Sequence, residues 1–84
     1  MRKQFFVEFE SDVFDKNSYN RETGEYGSFD HFGGNASTIK SAKSVIRYLR
    51  KLYAADNPRN FRVFDCFAGI DSETHHVPCV YFEE

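Results

Sequence analysis

Residues 37–55 read STIKSAKSVIRYLRKLYAA, and the spacing of the apolar side chains in this stretch decides the fold. Ile39, Ala42, Val45, Ile46, Leu49, Leu52 and Tyr53 recur three and four apart, the signature of a helix with one apolar face. Asn35 or Ser37 offers a capping oxygen at the start. Asn57-Pro58 closes the segment, because proline lacks an amide proton and clashes with the preceding turn. A helix is predicted from Ser37 to Ala55.

Outward from the helix the period changes. In the segment from Lys3 to Ser11, Phe5, Val7 and Phe9 alternate with Phe6, Glu8 and Glu10, so three large apolar groups share one face of a strand. From Asn60 to Ala68 the sequence NFRVFDCFA places strand-forming residues on both faces, as a strand covered on both sides does. Val77 to Phe82 forms a last short strand, and Pro78 marks it as an edge.

Asp12 to Tyr26 is polar and interrupted, with a hairpin turn at Asn20-Arg21-Glu22-Thr23-Gly24, where Gly24 supplies the positive φ of a tight reversal. A second strand follows at about Glu25 to Phe32, and Gly33-Gly34-Asn35 ends it. Gly69 to His76 reads as a loop. The order is β-β-α-β-β: a single α+β domain over residues 1–84, in which one amphipathic helix packs on one face of a mostly antiparallel sheet. If residues 24–34 were irregular, the order would become β-α-β-β with a long binding loop.

A chain of 84 residues has room for one core. Its ten Phe and five Tyr outnumber the Leu, Ile and Val together, which favours strands. With a single helix to cover them, some aromatics stay on the open sheet face, and a homodimer or a bound partner is the consequence. No apolar run is long enough to span a bilayer, and Met1-Arg2-Lys3 leads into an alternating strand rather than an apolar signal, so a soluble, cytoplasmic protein is expected. Cys66 and Cys79 are too few for a disulfide scaffold and read as free thiols. Without a secretory signal, Asn35-Ala36-Ser37 is a polar loop rather than a glycosylation acceptor.

The net charge of −2 conceals segregation. Between residues 36 and 62, Lys40, Lys43, Arg47, Arg50, Lys51, Arg59 and Arg62 face Asp56 alone, whereas residues 63–84 carry Asp65, Asp71, Glu73, Glu83 and Glu84 with no cation. At about 100° per residue, Lys40, Lys43, Arg47, Arg50 and Lys51 fall in one arc beside the apolar face. Aligned cations repel one another and gain most from an external anion. The alternative is a solvated face that the acidic tail neutralises within the molecule.

Three constellations could carry chemistry. Asp71-Ser72-Glu73-Thr74-His75-His76 gathers a hydroxyl, carboxylates and imidazoles, so a small nuclease or hydrolase using His75 or His76 is one alternative. Neighbours in one loop diverge, however, and catalytic groups normally converge from different elements. Cys66, His75, His76 and Cys79 include zinc ligand types, but their spacing does not match paired knuckles. Asp12, Asp15, Asn17, Asn20 and Glu22 fail the calcium-loop spacing, with Asn20 where Gly is needed and Tyr26 where Glu is needed. Gly33-Gly34 resembles half of an anion-binding turn. No metal or cofactor is expected, and no catalytic residue is assigned.

In size, aromatic-rich hairpins and a lone helix, the chain resembles the small inhibitors and adaptors encoded by phages and mobile elements, some anti-CRISPR proteins among them. The resemblance implies an inhibitor and carries over no residue role. The sequence therefore points to a non-catalytic module that binds a protein or a protein–nucleic acid complex. Tyr19, Tyr26 and the loop between them form one expected contact surface, and Lys40, Lys43, Arg47, Arg50 and Lys51 form the other. Direct nucleic-acid binding by the basic helix, extended by Arg59 and Arg62, is a further alternative.

Overall fold

The computed structural model describes residues 3–12, 19–20, 25–26, 30–69 and 77–84. Among the described residues, six strands and one α-helix follow in chain order: β1 (Phe5–Glu10), β2 (Tyr19–Asn20), β3 (Glu25–Tyr26), β4 (Asp30–Ala36), α1 (Ile39–Leu52), β5 (Arg59–Asp65) and β6 (Cys79–Glu83). A four-stranded antiparallel sheet runs in the order β4-β1-β5-β6, and α1 packs on one face of it, mainly over β4 and β1. The expected α+β architecture is thus present. In addition, β2 and β3 make a small hairpin of their own, with Tyr19 opposite Tyr26 and Asn20 opposite Glu25. The turn expected between them, at residues 21–24, lies outside the described residues.

The core follows from the period-two pattern of β1. Phe5, Val7 and Phe9 are buried under the helix with Ala36, Ala42, Ile46, Leu49, Phe61 and Val63. The Phe9 ring stacks on Phe61 at 5.5 Å between centroids and meets Tyr53 at 5.1 Å and His31 at 5.3 Å. His31 therefore belongs to the helix side of β4, within an aromatic cluster.

The helix starts later and stops earlier than its periodicity suggests. Thr38 is the cap, its Oγ1 accepting from the Ser41 amide at 3.0 Å, while Asn35 and Ala36 are still strand. Ala36 pairs with Phe5 and is buried, so the sheet retains Asn35, one of the two residues expected to cap the helix, and Ser37, the other, gives way to Thr38. At the far end Tyr53 closes the last turn, a 3₁₀ turn occupies Ala54–Asp56, and Asn57 adopts a left-handed conformation with φ 52°. Leu52, expected on the buried face, is exposed.

The largest difference concerns Gly33 and Gly34. Rather than ending a strand or opening an anion-binding turn, they sit in the middle of β4, where Val7 pairs with Gly34 and Glu8 with Phe32, so Gly33 is the extra residue of a β-bulge. A Cβ at Gly33 would stand 2.5 Å from Leu49 Cδ1 and 3.3 Å from both Phe9 Cδ1 and the Val7 carbonyl oxygen. The missing side chain lets α1 settle onto the sheet.

On the sheet face away from α1, pairing sets Phe32, Glu8, Arg62 and Phe82 in one row across the four strands and Asn35, Phe6, Phe64 and Cys79 in the next. Phe6 stacks on Phe64 at 4.9 Å and tilts toward Phe32 at 6.4 Å. Phe64 is buried, whereas Phe32 and Phe82 are exposed. The two-sided burial expected of β5 therefore holds at Phe61, Val63 and Phe64. β5 ends at Asp65 rather than Ala68, where Asp65 Oδ1 accepts from the Phe67 amide at 2.9 Å and turns the chain.

Candidate interaction surface of the helix

The five cations predicted to line α1 divide into two groups. Arg50 turns toward β6: its Nε and Nη2 both donate to Glu83 Oε2, at 3.0 and 2.7 Å, and its guanidinium lies over the Phe61 ring at 4.6 Å. Lys43, two turns earlier, places its ammonium over the Tyr81 ring at 4.7 Å. Tyr81 Oη in turn donates to Glu83 Oε1 at 2.8 Å, so both carboxylate oxygens of Glu83 are occupied. For Arg50 the acidic end of the chain is the neutralising partner, whereas Lys43 rests on an aromatic ring beside that carboxylate. This is the intramolecular outcome weighed from the charge segregation alone.

Lys40, Arg47 and Lys51 form the second group. All three are exposed, and among the described residues none has an acidic partner; Arg47 Nη2 donates only to the Ser44 hydroxyl, at 2.9 Å. Their spacing of seven and four residues stacks them along the outward side of the helix. Tyr48 and Leu52 are exposed beside them, at 63% and 58% of full exposure. These two apolar groups escaped the sequence reading. Leu52 fits the apolar period, and only the sheet's position under the helix shows that the period runs past the core. The signal that could have found them is their own spacing of four residues beside the cations.

Arg59 and Arg62 do not extend this surface. Arg59 is held by Asp12, with Nη1 2.9 Å from Oδ1, and by the Asn57 carbonyl oxygen at 2.9 Å. Arg62 lies on the sheet face away from α1, 4.0 Å from Glu10. Tyr19 and Tyr26 are brought opposite each other on the β2–β3 hairpin. The structure thus joins the two tyrosines in one element and leaves the loop between them outside the described residues.

His75 and His76 also lie outside the described residues. Cys66 and Cys79 are free and exposed. Among the described residues no three His, Cys, Asp or Glu side chains gather where they could hold a metal ion, and no helix is long and apolar enough to cross a membrane.

Glu83 gives the surface a pH dependence. Hydrogen bonds from Tyr81 and then Arg50 hold its carboxyl below the ordinary value of 4.5, and the same bond to Glu83 raises the Tyr81 phenol above 10.0. A depressed carboxyl contributes stability that is present above its ordinary value and lost as pH falls through its folded one. Both partners in the ion pair are more than a third exposed, so solvent screening keeps the contribution to about 1 kcal/mol or less. Thermal melts of Glu83→Gln beside the parent protein are expected to show a modest deficit near neutrality that shrinks as pH falls below 4.5 and vanishes once the pH is under the lowered folded value. A deficit that persists unchanged in acid would assign the loss to packing instead.

In comparisons with known proteins, the chain matches no family model, no curated protein and no solved structure.

Proposed function

We propose that this protein is a non-catalytic interaction module that engages an acidic surface of a partner protein, alone or in a complex with nucleic acid, through the outward side of α1. One observation carries the reading. Lys40, Arg47 and Lys51 stand exposed beside Tyr48 and Leu52, whereas the neighbouring Arg50 is paired with Glu83 and Lys43 lies over the Tyr81 ring.

Exposed cations around an exposed aromatic and an aliphatic group combine long-range attraction with an area that gains from burial. Tyr and Arg are the residue types that most often dominate such contacts. An acidic protein surface suits the site better than bare duplex DNA, because three cations make few phosphate contacts and the chain as a whole carries −2. Binding of this kind also suits an inhibitor, which must only occupy its target.

The double variant Arg47→Glu/Lys51→Glu tests the reading. Both side chains are exposed, so circular dichroism and melting temperature are expected to match those of the parent. Affinity for a captured partner is expected to fall by about tenfold or more, since like charges then face each other across the contact. Unchanged affinity in a folded variant discards the helix surface. Retention of nucleic acid in place of a protein, with affinity falling along a slope of about −0.9 per phosphate contact against log salt, transfers the site to direct nucleic-acid binding.

A further inference from the structure

We propose that Arg50, Tyr81 and Lys43 form a carboxylate-binding site that the chain's own Glu83 fills, and that an acidic segment of the partner displaces Glu83 from it on docking, an extension that rests on the outward helix surface proposed above. Glu83 is received as a bound carboxylate would be. Arg50 Nε and Nη2 both donate to Oε2, at 3.0 and 2.7 Å, and Tyr81 Oη donates to Oε1 at 2.8 Å. Donors aimed at both oxygens, two of them from a guanidinium, are what recognise a carboxylate. Tyr81 and then Arg50 hold the Glu83 carboxyl below its ordinary value, as a site suited to the charged form does.

The donors have supports of their own. The Arg50 guanidinium lies over the ring of Phe61, which is completely buried, and the Lys43 ammonium lies over the Tyr81 ring. These contacts persist when the Glu83 side chain swings away, so the site keeps its shape for another acid. Glu83 is also loosely held. The side chains of Arg50 and Glu83 are 38% and 36% exposed, and an ion pair in contact with water is worth little. Glu83 therefore passes from Arg50 to water at small cost.

The site is continuous with the unpaired cations. Arg47 is three residues from Arg50 and four from Lys43, so it neighbours both on the helix surface, and it lies four residues before Lys51. One acidic segment can place a carboxylate at Arg47 and the next at Arg50. An intramolecular acid competes at an effective concentration of about millimolar or more, which a single free carboxylate does not overcome and a run of carboxylates does. Glu83 thus sets a threshold of acidity that a partner must exceed.

Titrating the whole protein with a short poly-L-glutamate peptide at low salt tests this competition. Glu83→Gln is expected to bind the peptide about three- to fivefold more tightly than the parent, as one exposed ion pair becomes available. Glu8→Gln makes the same charge change on the sheet face away from α1 and is expected to shift affinity by less than about twofold. In Glu83→Gln/Arg50→Gln the gain disappears. In the parent, the Arg50 Nε–H resonance shifts as peptide is added, a readout that needs no variant to fold. Equal gains in Glu83→Gln and Glu8→Gln, a gain that survives loss of Arg50, or an unmoved Arg50 resonance at saturation each overturn the proposal. The outward surface still stands in those cases if Arg47→Glu/Lys51→Glu weakens the peptide. The converse result, a gain in Glu83→Gln with Arg47→Glu/Lys51→Glu indifferent, keeps the carboxylate site and discards the outward surface. No binding by the parent or any variant overturns both, and tighter binding of oligothymidylate of equal charge overturns the carboxylate assignment in favour of phosphate.

Discussion

Phe9→Ala is expected to remove about 3–5 kcal/mol of stability, the range for deleting a fully buried phenylalanine. Phe9 is completely buried, and its ring is the common member of the contacts to Phe61, Tyr53 and His31. Those neighbours come from β5, the end of α1 and β4, three elements that would have to move in different directions to refill the space. The cavity therefore stays open, and cavities that cannot collapse lie at the costly end of the range. Domains of this size have small margins, near the lower end of the usual 5–15 kcal/mol. Urea melts are expected to show a protein near its folding midpoint in water, or already unfolded. A loss below about 1 kcal/mol would mean that the aromatic cluster is not the centre of the core.

Gly33→Ala is expected to destabilise by about 1–3 kcal/mol, the usual cost of overpacking, although the change adds only one methyl group to a strand. The new Cβ would meet Leu49 Cδ1 at 2.5 Å, and Leu49 is itself buried, so it cannot swing into solvent. The Val7 carbonyl oxygen at 3.3 Å belongs to the central strand and yields even less. Trimming the obstruction separates this cause from a loss of backbone freedom. In the double variant Gly33→Ala/Leu49→Ala, the two losses are expected to sum to less than their separate costs, with a coupling of about 1 kcal/mol.

Gly34 offers the contrast. A Cβ there meets only Val45 Cγ1, at 3.6 Å, but the backbone has φ +144°. Gly34→Ala is destabilising through conformation, and trimming Leu49 gives no rescue. Equal rescue at both positions would refute the packing account of Gly33.

These two glycines mark the boundary of what the sequence discloses. The alternation of Phe5, Val7 and Phe9, and the recurrence of Ala42, Ile46 and Leu49, are local periods, and each names the buried side of its own element. The β-β-α-β-β order and the one-sided helix follow from them. What a period cannot express is where a neighbouring element ends. Gly-Gly reads as a stop until β1 is seen to pair across it, and Leu52 reads as core until it is seen to stand exposed beside the packed face.

The candidate surface shows the same limit. All five helix cations were legible as a stripe, but their division into held and free groups depends on contacts between residues 33 apart in the chain, such as Arg50 with Glu83. The charge blocks offer the acidic tail as one candidate neutraliser. Which cations it reaches is decided by the position of β6 in the sheet.

The strand order also bears on how the protein is made. Of the four strands of the sheet, β1 is made first, yet it occupies an interior position, and its two partners are β4 and β5. When β4 and α1 have emerged, one side of β1 can pair and part of its apolar face can be covered. Its other side waits until Asp65 has been synthesised. Throughout that interval the nascent chain exposes one edge of the strand that supplies Phe5, Val7 and Phe9 to the core, with Phe61 and Val63 not yet in place to complete the packing around Phe9. Translation speed between α1 and β5, and the chaperones that bind extended aromatic segments, therefore act on the yield of folded protein before the sheet is complete.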